Sequence, residues 1–298
     1  MAPLFDFRAL PASALDKGAS ATGSPPTTRV KPQGAASDDE LSAFSVDEVA
    51  RWYRRLALHI QSQPGQTDSL SALMMLHWLD GKGKPLTFPS AKLEKFPRVK
   101  DELKEVRAVF LTEKKAKLKG GEKWAGILPR IQKLSGFDPW DGTSPVRMTY
   151  TPPSVEIPLS VQGKAAMGLA DPDELDLLMS LHSFGLNSAV IVMVTQKKPG
   201  TQLYNVEFAH WGSMAFDRYD WDPTKHITVP NPDFGNPSRL DAPVAPHKAT
   251  ITVYHSNAKR VEAAGLADPY DAASKVWVVN DPDLVGGTTE VDASRKLK

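Results

Sequence analysis

From about residue 45, apolar residues recur at the three- and four-residue spacing that is typical of amphipathic helices. Ser45 is followed three residues later by Glu48, the pair that forms a capping box, and this predicts a helix that ends near residue 61. A second helix is predicted from Asp68 to about residue 80, where a run of Gly, Lys and Pro follows. The segment from residue 45 to about residue 80 is therefore predicted to be mainly helical.

Residues 98–119 continue the helical pattern, with apolar positions set among many charges. A short fourth helix is predicted at residues 124–134, which Pro129 must kink. Four lysines crowd the end of the third helix: Lys114, Lys115, Lys117 and Lys119. Cations are favourable at a helix C-terminus, and the same lysines could also attract a lipid headgroup or a pyrophosphate.

From residue 139 the pattern changes to short runs rich in Val, Ile, Thr and aromatic residues, bounded by Pro, Gly and Asp. These runs predict strands at residues 146–150, 155–161, 189–196, 203–209, 226–229, 249–255 and 275–280. Gly212 and Ser213 predict a turn, and helices are predicted at 172–182 and 257–264. We predict an α+β fold, with a helical N-terminal portion packed beside a curved, mostly antiparallel, half-barrel-like sheet.

The same patterns predict the domain organisation. Residues 1–42, rich in Ala, Ser, Pro, Gly and Thr, read as a flexible leader, either disordered or a tether for a secretion apparatus. A helical domain at 43–138, a candidate catalytic α+β domain at 139–285 and a polar tail at 286–298 follow.

Composition narrows the possible partners. Lys and Arg total 36 against 35 Asp and Glu, so no excess of positive charge indicates a nucleic-acid partner. The chain has no cysteine, so any metal ligand must be an oxygen or an imidazole. The first residues lack the basic and apolar regions of a signal peptide, and we expect synthesis in the cytoplasm without export by the general secretory route.

Residues 216–226 hold the candidate chemistry, because three carboxylates, a phenol and an imidazole lie within this short stretch. Carboxylate oxygens bind hard divalent cations, and a nearby histidine can transfer protons. The stretch therefore predicts metal-assisted hydrolysis of a phosphate ester.

The pattern Asp-x-Tyr-Asp, five residues and then His resembles the catalytic signature of colicin M-type bacteriocins, which cleave the undecaprenyl-phosphate linkage of the peptidoglycan precursor lipid II. The matching residues are Asp217, Tyr219, Asp220 and His226. In that family an arginine follows the histidine, whereas this chain has Ile227.

This resemblance implies a role for each matching residue. Asp217 and Asp220 would coordinate Mg²⁺, and Asp220 could equally be the nucleophile or base. His226 would be the general acid or base, and Tyr219 would orient a phosphate oxygen or the attacking water. The remaining candidates for substrate binding are Lys225, Arg239 and His255, of which the first two could replace the absent arginine.

A second resemblance extends loosely over residues 65–282. The segments 73–79, 204–208, 217–221 and 276–280 look like a proteobacterial domain family often encoded near type VI secretion genes. It implies a secreted antibacterial effector that acts in the periplasm of a target bacterium, on lipid II at the membrane surface. Type VI secretion components and a cognate immunity protein would be its partners.

Other interpretations of the acidic stretch remain open. Asp217, Asp220 and Asp222 could form turns, with Tyr219 and Trp221 facing the core, or could hold a structural Ca²⁺. At the level of function, the alternatives are a non-enzymatic secretion adaptor or binding protein and, third, a nuclease toxin.

Overall fold

The computed structural model describes residues 39–111, 115–118, 121–124, 144–152, 155–158, 172–181, 183–198, 200–236, 243–292 and 294. The first 38 residues of the predicted leader, almost all of the predicted fourth helix, and Arg239 lie outside these ranges. In the described part, every helix is too short or too polar to cross a membrane.

Six helices lie within the described residues. They are α1 (Val46–Ser62), α2 (Leu70–Asp80), α3 (Ala91–Lys95), α4 (Pro97–Leu111), α5 (Pro172–Leu181) and α6 (His255–Ala263). The capping box predicted for α1 is confirmed, because the Ser45 backbone N–H donates to Glu48 Oε2 at 2.8 Å and the Ser45 side chain accepts from the Glu48 N–H. Helix α2 begins at Leu70, two residues after the predicted start at Asp68, because Ser69 is its N-cap and Ser69 Oγ accepts from the Ala72 N–H at 3.2 Å.

The third predicted helix is wrong beyond Leu111. Strands β2 (Lys115–Leu118) and β3 (Gly121–Trp124) form an antiparallel pair in place of its last turns. Leu118 of β2 pairs with Gly121 of β3.

The remaining strands described are β1 (Leu86–Phe88), β4 (Val146–Tyr150), β5 (Val155–Pro158), β6 (Ser183–Gln196), β7 (Leu203–Tyr219), β8 (His226–Pro230), β9 (Thr250–Tyr254), β10 (Tyr270–Ser274), β11 (Trp277–Val278) and β12 (Thr288–Asp292). The antiparallel pair β6 and β7 is the centre of the main sheet. Strands β4 and β5 pair with β6, while β10, β11 and β12 pair with successive parts of β7.

Strand β1 adds a parallel partner to β10, and β8 pairs with β9 apart from the main sheet. The predicted α+β, mostly antiparallel architecture is therefore confirmed. The sheet does not close on itself, and its half-barrel curvature stays a prediction.

The turn predicted at Gly212 and Ser213 is wrong, because β7 continues through both residues. The register shifts where Ile191 pairs with His210 but Val192 pairs with Phe208. One extra residue in β7 changes the alternation, so that Phe208 and Trp211 are both buried although they are three positions apart.

One hydrophobic core extends across the predicted boundary at residue 138. Trp52 of α1 and Trp78 of α2 belong to the same buried cluster as Phe208 and Trp221 from the second half of the chain. The predicted polar tail also contributes to this cluster, since Val291 of β12 is only 5% exposed. Within the described residues, the helical and sheet portions thus contribute to the same buried cluster.

Candidate functional site

A cleft of about 140 Å³ lies at the end of β7, beside the end of α5 and the start of β6. Its walls combine three acidic side chains, two cations, one imidazole and several apolar groups. The lining residues are Met179, Ser180, Leu181, Ser183, Asp217, Arg218, Tyr219, Asp220, Trp221, Asp222, Lys225 and His255. Three of the four residues of the Asp-x-Tyr-Asp and His pattern are among them.

Strand geometry explains how the first of these residues are positioned. Asp217 and Tyr219 are two positions apart on β7 and so lie on one face, whereas Arg218 lies on the other. Strand β10 pairs with this part of β7 and places Ala272 opposite Asp217. Asp217 Oδ1 also accepts a hydrogen bond from the Arg218 N–H at 2.8 Å.

Asp220 and Asp222 follow the strand and have different surroundings. Asp220 is exposed at the cleft. Asp222 Oδ1 accepts from the Thr224 N–H at 3.0 Å and from Thr224 Oγ1 at 2.7 Å, which closes a tight turn. These two hydrogen bonds hold the pKa of Asp222 below its usual value. The turn-forming interpretation therefore applies to Asp222.

The aromatic residues of the stretch face the core. Tyr219 is 7% exposed and stacks on Tyr270 with ring centroids 5.2 Å apart. Burial, followed by the nearby Asp217, raises the pKa of the Tyr219 phenol. The Trp221 ring packs against the Trp78 ring, with the centroids 5.5 Å apart. The Tyr219 hydroxyl can therefore donate a hydrogen bond at neutral pH but cannot act as a base.

The structure separates the two candidate histidines. His226 is exposed at the start of β8, where its ring lies 5.3 Å from that of Tyr254, and it does not line the cleft. His255 is buried and lines the cleft. Its ring lies edge-on to the Trp221 ring, with the centroids 4.9 Å apart. Its backbone N–H donates to the Lys225 carbonyl at 3.0 Å, which joins the start of α6 to the motif loop.

Two cationic residues line the cleft. Lys225 Nζ lies 3.6 Å from Asp222 Oδ2, inside the cleft. Arg218 Nη1 donates to Asp271 Oδ1 at 2.7 Å, and Asp271 is not part of the lining. Sequence reasoning selected Lys225 and missed Arg218, although Arg218 lies within the acidic stretch.

The carboxylates of Asp217 and Asp220 line one cleft and supply the oxygen donors that Mg²⁺ prefers. Among the described residues, no group of three or more His, Asp or Glu side chains is arranged to hold a metal ion. Mg²⁺ is commonly held by one or two carboxylates together with substrate phosphates. The donor set is thus compatible with Mg²⁺ that binds together with a phosphate.

No protein-family model, curated protein or solved structure matches this chain. The resemblances to colicin M-type bacteriocins and to the secretion-associated family stay predictions. The functional argument therefore depends on the chemistry of the cleft.

Proposed function

We propose that the chain is a hydrolase that splits the bond between a lipid and its pyrophosphate, with lipid II as the substrate. The observation that supports this most is the composition of the cleft. Asp217, Asp220 and His255 lie at a single opening that also includes Lys225. Met179 lines the same opening and, being only partly buried, offers a prenyl group an apolar contact.

In the proposed reaction, water attacks the phosphorus atom next to the lipid, and the bond from that phosphorus to the lipid oxygen breaks. The ring nitrogens of His255 are buried, so the ring must become accessible from the cleft to accept the proton of the attacking water; the departing lipid oxygen takes a proton from solvent. The products are undecaprenol and a pyrophosphorylated disaccharide peptide. Lys225 attracts the anionic substrate, and the Tyr219 hydroxyl donates a hydrogen bond to a phosphate oxygen or to the water.

Asp217 and Asp220 would hold Mg²⁺ against the phosphate. When bound, the ion would offset the negative charge of the phosphate and the additional negative charge that develops in the transition state. Because only these two carboxylates are assigned to it, we expect weak Mg²⁺ binding in the absence of a pyrophosphate.

The resemblances extend the proposal to the setting of this activity. The chain would be an antibacterial effector delivered by a type VI secretion system to the periplasm of a competitor. The producing cell would then need a cognate immunity protein.

The test is release of the pyrophosphorylated headgroup from purified lipid II in the presence of Mg²⁺. Asp220→Asn should lower kcat/KM at least about 100-fold, because an exposed carboxylate that binds the metal is lost while the fold is unaffected. His255→Gln should have a similar effect, whereas His226→Ala should retain most of the activity, because His226 lies outside the cleft.

Circular dichroism of each variant shows whether the fold is retained, and Asp220→Asn decides the question if His255→Gln fails to fold. Full activity of Asp220→Asn would overturn the enzymatic proposal. No release by the parent protein would favour the non-enzymatic adaptor. Loss of activity in His226→Ala alone would return the catalytic role to the histidine of the sequence pattern.

A further inference from the structure

A second opening in the described surface, of about 450 Å³, is lined by residues of helices α3 and α4 and of the segment 277–284, which begins with β11. We call it the β11 groove. It shares no lining residue with the cleft described above. Several of its lining residues are buried and apolar, and these are Val99, Leu103, Trp277, Val279 and Leu284. The others are exposed or charged, so the groove is apolar inside with a polar margin.

Strand β11 has an open edge on the side away from β7. Val278 pairs with Gly212 of β7, and the next residue, Val279, donates its N–H to the Trp211 carbonyl at 2.8 Å. Alternate residues of an antiparallel strand bond to the same neighbour, so the N–H and C=O of Val278 point away from β7. No loop or helix backbone in the described ranges bonds to these two groups, and Val278 is 49% exposed.

The β11 groove runs along this open edge. Trp277 and Val279 face the buried side of the sheet, whereas Val278 between them faces the other side. All three line the groove, which therefore contacts both faces of the strand. An opening that contacts both faces of a strand lies at its edge.

The neighbouring strand shows that this side of the sheet accepts a further strand. Strand β1 pairs in parallel with β10, and the Phe88 carbonyl accepts from the Lys275 N–H at 2.8 Å just beyond that pairing. The chain then turns away into α3 and α4, which supply the other lining residues of the groove. Within the described sheet, β7 is the only strand that pairs with β11.

The uncompensated charges of the groove are positive. The carboxylates of Glu94 and Asp281 each accept a hydrogen bond from a residue close to them in the chain. Lys95 and Lys100 are exposed, and neither forms an ion pair or a hydrogen bond with any part of the chain that the structure describes. A ligand of the groove is therefore favoured if it carries acidic side chains.

We propose that the β11 groove binds an extended, acidic segment of a partner protein, which adds a strand to the open edge of β11. Its backbone would bond to the N–H and C=O of Val278, as in other cases of strand addition. Alternate apolar side chains would enter the groove, and acidic ones would face Lys95 and Lys100. A helical segment fits less well, because its own hydrogen bonds occupy the backbone groups that Val278 requires. This interaction surface goes beyond the proposed hydrolase and does not depend on it.

Fluorescence anisotropy with a labelled peptide of alternating Val and Glu tests the proposal on the full chain. We expect this probe to bind the parent protein. The same peptide with Lys in place of Glu should bind at least about 10-fold more weakly, because its charge is reversed. A version with N-methylated valine amides should lose about 10-fold, because it lacks the backbone donors that a paired strand needs.

Two matched pairs of variants locate the binding. Val278→Pro removes the outward N–H without removing a bond to β7 and should weaken binding about 10-fold, whereas Val278→Thr keeps the N–H and should bind like the parent. Lys100→Glu should weaken binding about 10-fold by repulsion. Lys104→Glu makes the same change one turn further along α4, outside the groove lining and 3.7 Å from Asp283, and should have little effect.

The outcomes separate the possible occupants. If the parent does not bind the acidic peptide, or if Val278→Pro and Lys100→Glu both bind it as well as the parent, the edge is not a strand-addition site. A dimer of the free parent in sedimentation velocity, lost in Val278→Pro, would assign the edge to a second copy and overturn the partner protein. Should circular dichroism show that Val278→Pro is unfolded, Lys100→Glu and the N-methylated peptide decide.

Discussion

Tyr219 illustrates how burial limits the chemistry of a single side chain in the cleft. Its phenol is almost inaccessible, lies near Asp217 and has a raised pKa. Tyr53 and Tyr270 are buried as well, and their pKa values are also raised, mainly by burial. These phenols stay protonated while the protein is folded, so Tyr219 acts as a hydrogen-bond donor in the proposed reaction.

A spectrophotometric titration tests this conclusion. In the folded protein, Tyr219→Phe should leave the absorbance change at about 295 nm unaltered as the pH rises past about 10, where an exposed phenol ionises. In urea, the same substitution should remove about one sixth of the change, because the chain has 6 tyrosines. A smaller change in the folded variant would mean that Tyr219 ionises in the native state.

The acidic and phenolic residues of the cleft could be predicted together because they are neighbours in the sequence. Asp217, Tyr219 and Asp220 lie within four positions, so the end of one strand brings them to the same place. His255 belongs to a different helix and reaches the cleft through the pairing of β8 with β9, which precedes it. No spacing rule in the sequence could select it over His226.

At the scale of elements, Asp176 connects α5 to the start of α2. Its carboxylate accepts from the Leu70 N–H at 2.8 Å, the Ser71 N–H at 3.0 Å and Lys92 Nζ at 2.7 Å. The hydroxyls of Ser69 and Ser71 donate to the same group, each at 2.6 Å. An internal carboxylate thus satisfies the N-terminal amides of α2.

Replacing Asp176 by Ala should lower the free energy of unfolding by about 3 to 5 kcal/mol, because it leaves several buried donors without their acceptor and leaves the partly buried Lys92 with only the more distant Asp173. Asp173→Ala is the control, since Asp173 is largely exposed and lies 3.3 Å from the same Lys92 Nζ, and its loss should cost no more than about 1 kcal/mol. Urea denaturation at neutral pH measures both values. Equal losses in the two variants would contradict this role of Asp176.

The stabilisation that the Asp176 carboxylate provides depends on pH. Burial tends to raise the pKa of Asp176, but the hydrogen bonds from Lys92, Ser69 and Ser71 outweigh it and the pKa is lowered. A lowered pKa means that the stabilisation is present above the unfolded-state value of about 4 and is lost as the pH falls through the folded-state value. The difference in stability between the parent and Asp176→Ala should therefore decrease in acid.

Elements with strong local signals were predictable, and short ones were not. The capping box fixed the start of α1, and the alternating apolar residues revealed β4 at its observed bounds. In contrast, β10 has the sequence Tyr-Asp-Ala-Ala-Ser, which contains no β-branched residue. It forms a strand because β7 and β1 pair with its two edges and the Tyr270 hydroxyl donates to the Met74 carbonyl at 2.9 Å.

At the scale of the whole molecule, the single core joins segments that the sequence pattern assigned to different domains. The rings of Tyr53, Trp78 and Trp221 meet one another with centroids 5.2 to 5.6 Å apart, and they come from α1, α2 and the motif loop. Hydrophobic patterning predicts which residues are buried, but it does not predict which segments pack into the same core. The division at residue 138 therefore stays a prediction, although buried residues on both sides of it belong to one cluster.

A shared core predicts that the described helices and the sheet unfold together. Val291, near the end of the chain, is 5% exposed on β12, whereas Thr288 on the same strand is exposed. Val291→Asp should destabilise the protein by about 3 kcal/mol or more, because it buries a charge without a partner. Thr288→Asp adds the same charge at the surface and should change stability by less than about 1 kcal/mol.

In urea, far-ultraviolet circular dichroism reports the helices and tryptophan fluorescence reports the aromatic core. We expect the two transitions to coincide in the parent protein and to move together in Val291→Asp, since Trp52 and Trp78 are buried in the same cluster as Val291. If the substitution moved the fluorescence transition alone, the helices would have retained their structure without the sheet. The two portions would then be independent domains, as the sequence pattern predicted, and the contacts between them would contribute little to folding.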